Sequence, residues 1–390
     1  MVKLKKLRTM LLLFSFVSVI MLSQNLKVSA AKRRVVQKKY TLIAKNVRTV
    51  RVCGDYIYLS QKKNKFMQID LMAKLRKKEV TSNIYYKHHL ISKGAKAFFP
   101  AGYNKIFIRN KRNEILFTGD KWAKCSSMFR HKDSNDCERD SPRTANEVVL
   151  KNITKCWSDS GIFAYVRNNN LIVTGGVLGS AYSEECYEDN TKRTFFRGKG
   201  DQVKQVVSGN YNVFVLMKDG SVWGMGNNEQ KLISDSSKNY YKKFVEIVPD
   251  GVKSIAANLK NIGMLKKDGT LWLWGEKSEN GKVTYSAEPY KIANNVKEFS
   301  LGMANSKSEK RNAIVAYLNK NDVAYGWGLN SQYALTSKYK KGWIDKPVKL
   351  KSNIKHVYAG NGTTFLLDKQ NRLYWAGDQW YTGLLDWIKT

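Results

Sequence analysis

Acids are scarce in this sequence: 32 Asp and Glu stand against 68 Lys and Arg, a formal net charge of +36 over 390 residues. An imbalance of that size points away from cationic partners and toward anionic ones. Proline is also scarce, five in all, so long proline-rich linkers are excluded. The five cysteines, Cys53, Cys125, Cys137, Cys156 and Cys186, are odd in number and confined to the first half. They cannot be the sole support of a chain this long, and no C-x-x-C pair of the metal-binding kind occurs. Of the four histidines, His88, His89, His131 and His356, only the first two adjoin, and adjacent residues of an extended chain point to opposite sides. No phosphate loop is present, because Gly224-x-Gly226 precedes a turn instead of opening a helix. No catalytic constellation, metal site or cofactor motif is expected.

One apolar run exists, at the N-terminus. Lys3, Lys5, Lys6 and Arg8 precede a stretch of apolar and small residues from Met10 to Leu22, and Val28-Ser29-Ala30 follows as a small-residue cleavage site. Residues 1–30 read as a secretory signal peptide, with Ala31 the expected new N-terminus and a secreted or surface-associated product. The run is shorter than the roughly 20 residues that span a bilayer. With the cations of that segment removed, about +31 remains, well above the magnitude of roughly 2 to 8 that solubility asks for.

What is there in abundance is repetition. From Val203 the chain reads VKQVVSGNYNVFVLMKDGSVWGMGNN, and from Val252 VKSIAANLKNIGMLKKDGTLWLWGEK. Copies begin again at Val296 (with an insertion) and Ile354, and fainter ones at Val47, Ala95 and Ile153. Seven units at a spacing of about 50 residues fit a propeller. Each unit resolves into a short strand ending in a small residue and Gly, an apolar second strand, a tight turn, a third strand bearing Trp, and a weaker fourth strand. Asp219-Gly220 and Asp268-Gly269 are hairpin signals, and Asn113, Asn169, Asn321 and Asn371 stand at or beside the same turn. The expectation is an all-β chain: a single seven-bladed β-propeller over residues 31–390, with four antiparallel strands per blade. The last unit lacks a fourth strand, and Lys39–Ile43 is the spare one that would close the ring.

These units resemble the regulator of chromosome condensation repeat. The likeness rests on V-K-x-[IV]-x-x-G, the D-G turn, and the third strands Trp272-Leu273-Trp274-Gly275, Trp223-Gly224-Met225-Gly226-Asn227 and Gly326-Trp327-Gly328-Leu329-Asn330, followed by Gln230 and Gln332. It covers nearly the whole chain after the signal and is strongest over 203–380. The resemblance implies a seven-bladed propeller. It also implies two kinds of role: a nuclear exchange factor for a small GTPase, which a signal peptide argues against, and secreted bacterial members that bind enzymes through one propeller face. The sequence departs from the repeat at its glycine-rich end, where Lys231-Leu232-Ile233 and Ala334-Leu335-Thr336 stand, and the His usual after the first-strand Gly is absent.

The recurring Trp223, Trp272, Trp274, Trp327 and Trp375 read as inter-blade core. Long insertions fall between first and second and between third and fourth strands, near 118–147, 176–200, 228–242, 276–288, 302–311 and 329–345, hence on one face. They gather Trp122, Arg130, Tyr182, Tyr187, Arg193, Tyr240, Tyr241, Lys310, Arg311, Tyr333, Tyr339, Lys340, Lys341 and Trp343. Tyr, Trp and Arg dominate binding hot spots, so this face is the candidate ligand-binding surface. Cys125 and Cys137 share one loop, where a local disulfide would fit, although Cys186 could compete for either partner; Cys156 falls on a first strand. The reading is a non-enzymatic exported binding module whose partner is an acidic protein or an anionic cell-wall polymer, with nucleic acid less favoured. Two alternatives remain: a polysaccharide-acting enzyme with carboxylates in the central channel, or a structural surface protein held by charge alone.

Overall fold

The computed structural model describes residues 35–53, 56–61, 65–69, 81–82, 95–100, 105–120, 143–159, 162–174, 193–209, 211–279, 282–303, 313–330, 333–337 and 342–379. Residues 36–378 form one compact unit; of the other unit, residues 1–35 and 379–390, only Val35 and Gln379 are described.

Seven four-stranded antiparallel sheets succeed one another along the chain. Their first strands are Thr49–Cys53, Ala95–Pro100, Lys155–Asp159, Val203–Ser208, Val252–Ala257, Val296–Met303 and Ile354–Ala359, and we number the blades one to seven in that order. Each first strand neighbours the first strand of the next blade, and that of blade one neighbours that of blade seven, so the first strands form a closed inner ring. Blade seven is completed from the other end of the chain: Val35–Ala44 pairs with Leu373–Gln379. The closing strand is thus the one anticipated, five residues longer than the Lys39–Ile43 core of the pattern.

A blade sandwiched between two others has no solvent face, and second strands show it. Asn212–Met217 and Thr363–Asp368 are buried at every position. The core is therefore a series of inter-blade clusters. One joins Val166 and Leu171 of blade three to Val206 and Val215 of blade four. The next joins Phe214 and Leu216 to Ile255 and Trp274 of blade five.

Third strands owe their shape to glycine. Gly226, Gly275, Gly328 and Gly377 all have φ between +101° and +109°. A Cβ on them would lie 2.2–2.3 Å from the carbonyl oxygen of Tyr211, Lys260, Ala313 or Gly362 respectively. In blades four to six the ladder to the fourth strand slips by two residues just there, the extra residues lying on the fourth strand. Such a bulge re-aims the side chain beside it. The re-aimed residues are Met225, Trp274 and Trp327, and all three are buried. Trp375 is buried as well, whereas Trp223 and Trp272 are half-buried. The core reading of the tryptophans thus holds fully for the second indole of the W-x-W strand and partly for the first.

The hairpin turns are fixed by a relay the sequence pattern did not reveal. Asp219 Oδ1 accepts from the Ser221 amide and hydroxyl, each at 2.8 Å, and Ser221 Oγ accepts from the Trp223 indole at 3.0 Å. Asp268, Thr270 and Trp272 repeat it. Asn113, Asn169 and Asn371 take positive φ as expected, but in blade six Asp322, not its neighbour Asn321, holds the left-handed position. Cys156 lies on its first strand as a buried free thiol, and burial pushes its pKa up to about 12.

Candidate functional site

Nine of the aromatic and basic residues singled out in the insertions, Trp122, Arg130, Tyr182, Tyr187, Lys310, Arg311, Tyr339, Lys340 and Lys341, lie outside the described residues, as do Cys125 and Cys137. The other five are distributed over blades three, four and six, and four of them belong to strands. The fourth strands begin earlier than the pattern suggested: Arg193–Phe195, Tyr240–Val248 and Trp343–Lys351. Ladder pairing with the third strand extends past the bulge, as in Asn227 with Tyr240 and Leu329 with Trp343, and converts the expected loop ends into sheet. Trp343 packs edge-on against Trp327 at 4.9 Å, inside the core between blades. Tyr241 exchanges a 2.7 Å hydrogen bond with Ser236, and the hydroxyls of Ser234 and Ser236 hold its pKa below the usual phenol value. Tyr333 takes a φ of 64° in the turn after Asn330.

That turn is built by an asparagine. Asn330, fully buried, accepts from the Leu335 and Thr336 amides at 2.9 and 3.1 Å. Asn228 does the same for Ile233 and Ser234 at 3.0 Å each, and donates to the carbonyls of Ser234 and Lys238. The sequence signature drew attention to Asn227; its neighbour Asn228 does the organising. The departures from the glycine-rich repeat end also find their reason here. Leu232 and Leu335 are fully buried, and the Leu232 carbonyl accepts the Trp274 indole N–H at 3.1 Å. Apolar plugs have replaced flexible glycine.

Arg193 leads to a concavity lined by described residues. It lies between the fourth strands of blades three and four, has a volume of about 640 Å³, and is lined by Arg193 to Arg197, Trp223 and Lys242 to Phe244. Its floor is aromatic. Phe195 and Phe196 each approach Phe244 at 5.0 Å, and Phe196 meets Trp223 edge-on at 5.9 Å. Phe196 is held at φ 44°, an uncommon value for a bulky residue, which turns its ring under the chain toward Trp223. The rim is cationic: Arg193, Arg197, Lys242 and Lys243, with no acid in the lining. An aromatic floor under four cations offers apolar contact and charge to the same ligand, a combination suited to an acidic chain carrying apolar side chains. Phe195, Phe196, Phe244, Lys242 and Lys243 went unnoticed in the sequence because they fall in the least regular part of the repeat.

Elsewhere, the two buried carboxylates among the described residues sit in different blades, each beside its own base. Glu276 lies 3.2 Å from Lys260, and Asp368 lies 2.7 Å from Arg372. No group of three or more potential metal ligands occurs among the described residues, and no helix there is long and apolar enough to cross a membrane.

A closed ring of four-stranded blades defines a β-propeller. The family model described as the regulator of chromosome condensation (RCC1) repeat matches residues 203–230. Among solved structures, Prp20p from Saccharomyces cerevisiae, described with its binding to Gsp1p and histones, aligns with a TM-score of 0.58 at 16% identity, over 86% of this chain and 83% of its own. Yeast RCC1 (Prp20) in a structure of Kap60 bound to it aligns with a TM-score of 0.58 at 16% identity, over 86% of this chain and 81% of its own. Human WBSCR16 gives 0.55 at 14% identity, over 86% and 87%. At these identities the likeness is one of fold. No curated protein matches the sequence.

Proposed function

We propose that this protein is an exported, non-enzymatic binding module that engages an acidic protein through the cleft between blades three and four. The observation that carries the reading is the cleft itself, where four cations surround a floor of Phe195, Phe196, Trp223 and Phe244. The chain's charge supports it, because a body still at about +31 without residues 1–30 attracts acidic partners over several ångströms before contact. An aromatic floor adds what charge alone lacks: contact that survives salt. The buried carboxylates, each occupied by its own base, lend nothing to the polysaccharide-enzyme alternative. Export rests on the N-terminal pattern of residues 1–30. Of the relatives above, Prp20p is described as binding Gsp1p and histones, which shows that this scaffold accommodates protein ligands.

The test is a pull-down of envelope and culture proteins with the full chain, across a salt series. One defined acidic protein should be retained at high salt by the wild type and lost by Phe244→Ala and by Lys242→Glu/Lys243→Glu. Release of every protein at moderate salt, or retention unaffected by these variants, overturns the reading.

A further inference from the structure

A second basic surface lies on the face opposite the long insertions, where first strands begin and the hairpin turns between second and third strands sit. Its organising feature is a bulge repeated around the ring. In blades two, four, five, six and seven the pairing of first and second strands slips by one residue at the same place, between Ala95 and Ala97, Val203 and Gln205, Val252 and Ser254, Val296 and Glu298, and Ile354 and His356. The extra residue is a lysine every time: Lys96, Lys204, Lys253, Lys297 and Lys355. Blade one carries the exposed Arg48 at the equivalent position.

A bulge residue has no ladder partner and its side chain leaves the sheet. In blades four to seven these lysines are exposed on the described surface. Two of them reach sideways to the next blade: Lys204 Nζ donates to the Lys253 carbonyl at 2.7 Å and Lys253 Nζ to the Lys297 carbonyl at 3.1 Å, whereas Lys297 Nζ donates to Asp322 in the hairpin of its own blade at 2.8 Å. In blades four and five the ammonium group is thereby placed beside the backbone of the following lysine, so that Lys204, Lys253 and Lys297 follow one another along the inner ring. A second circle surrounds the first. Lys218, Lys267, Lys320 and Lys369 occupy the hairpin turns, and their amides are fastened to the carbonyls of Gln202, Gly251, Asn295 and Asn353, just ahead of the first strands. The two circles feel each other: partial burial, then the charges of Lys267 and Lys253, hold the Lys204 amino group below its ordinary pKa. Among the carboxylates of this face, Asp201 and Asp250 are exposed just ahead of the first strands of blades four and five, and the others are engaged locally. Asp219 and Asp268 are turned into their own hairpins, and Asp368 is buried against Arg372. Asp322 alone bridges two lysines, Lys297 and Lys369.

We propose that this double circle of lysines is a second anion-binding surface, distinct from the cleft, and that it takes a linear phosphate polymer. A ring of cations spread over successive blades exceeds the reach of any single small anion, so only a ligand with repeated charges satisfies it. The cations are almost all ammonium groups, which act as point charges with donors to spare after one is used on a neighbouring carbonyl. Planar carboxylates are matched better by the fork of arginine. Phosphates along a chain need no planar match. The surface stands whether or not the cleft binds an acidic protein.

The experiment uses the full chain and two probes, long-chain inorganic polyphosphate and a single-stranded oligonucleotide of mixed sequence, with affinity measured across a salt series. Lys204→Gln/Lys253→Gln/Lys297→Gln is compared with Arg197→Gln/Lys242→Gln/Lys243→Gln, which removes the same charge from the cleft; thermal unfolding checks that both remain folded. The ring variant should lose tenfold or more in affinity for polyphosphate, and the cleft variant less than twofold. If the oligonucleotide follows the same pattern, the phosphate chain is the recognised element whatever it carries, and its salt slope should become shallower by about two in the ring variant. If only polyphosphate does, the unsubstituted polymer is the source. Equal losses from both variants would mean that only diffuse charge is sensed, and competition by orthophosphate at equal phosphate concentration would mean that no polymer is required. Either result overturns the proposal. Should the triple variant unfold, Lys204→Gln and Lys253→Gln singly should each weaken polyphosphate binding about threefold, and no change in either overturns it equally.

Discussion

The cleft and the lysine ring are both basic, yet they hold their charge in different ways. In the cleft, Arg193, Arg197, Lys242 and Lys243 border aromatic rings, and the lining is the irregular fourth-strand region of two particular blades. In the ring, the cations recur with the repeat, are displaced from the sheet by a shared bulge, and lean on the backbone of the next blade. The first is a local concavity with apolar content; the second is a periodic electrostatic surface with none. The comparison teaches that a net charge of +36 is not one property of the molecule. Two surfaces of the same sign should differ in salt dependence, because exposed charges are screened beyond a Debye length of about 8 Å at physiological ionic strength while apolar contact is not.

The largest expected effect is one that removes both surfaces together. Trp274 is fully buried, and its N–H bridges blades four and five. Trp274→Ala should cost about 3–5 kcal/mol of stability, seen as a large fall in thermal midpoint with both activities lost at the same temperature. Trp272→Ala, whose half-buried indole bonds to Thr270 of its own turn, should cost about 1 kcal/mol, near the centre of ordinary point-mutant effects. Equal losses would show that the bulge at Gly275 does not set the difference between the two indoles.

The comparison is sharpened next by the cleft floor. Phe244→Ala should weaken binding of the acidic partner by about 2 kcal/mol, the scale of an aromatic hot spot, and leave polyphosphate binding unchanged; isothermal titration with both ligands decides it. A salt series on the wild type comes third. Polyphosphate affinity should fall steeply between low and physiological salt, whereas partner affinity should fall several-fold less. Parallel lines would erase the distinction.

The smallest effect belongs to Asp322. Hydrogen bonds from Lys297 and Lys369 pull its carboxyl down to about 2. A depressed carboxyl stabilises the fold above its unfolded value, near 3.9, and that contribution is lost as pH falls through about 2. Asp322→Asn should therefore have a slightly lower thermal midpoint than wild type at pH 5, with the gap closing by pH 2. The same variant, having shed the one acid that bridges two ring lysines, should bind polyphosphate about twofold more tightly.

Much of the scaffold was legible in the sequence because a repeat announces itself. Seven copies of one pattern specify seven blades, the spare strand before Val47 specifies closure, and the recurrence of Trp274, Trp327 and Trp375 marks them as core. The site was far less legible. The long-insertion face drew attention because Tyr, Trp and Arg gather there. Yet Trp343, Tyr240 and Tyr241 proved to be the first residues of fourth strands, since ladder pairing beyond the third-strand bulge outcompetes a loop. The residues that shape the cleft, Phe196 and Phe244 above all, carry no periodic signal.

What the sequence determined by itself is therefore the periodic part: blade number, turn positions, the inner ring, and the bare presence of a lysine after the first apolar residue of nearly every unit. Tertiary structure alone decided what those lysines are. A residue that reads as one more surface charge becomes, once the ladder slips by one position in successive blades, a member of a circle of cations. It also decided that Phe195 and Phe196 of one blade meet Phe244 of the next. The physical reason is the same in both cases: periodicity encodes the contacts a blade makes within itself, whereas a surface assembled from several blades exists only after the ring has closed.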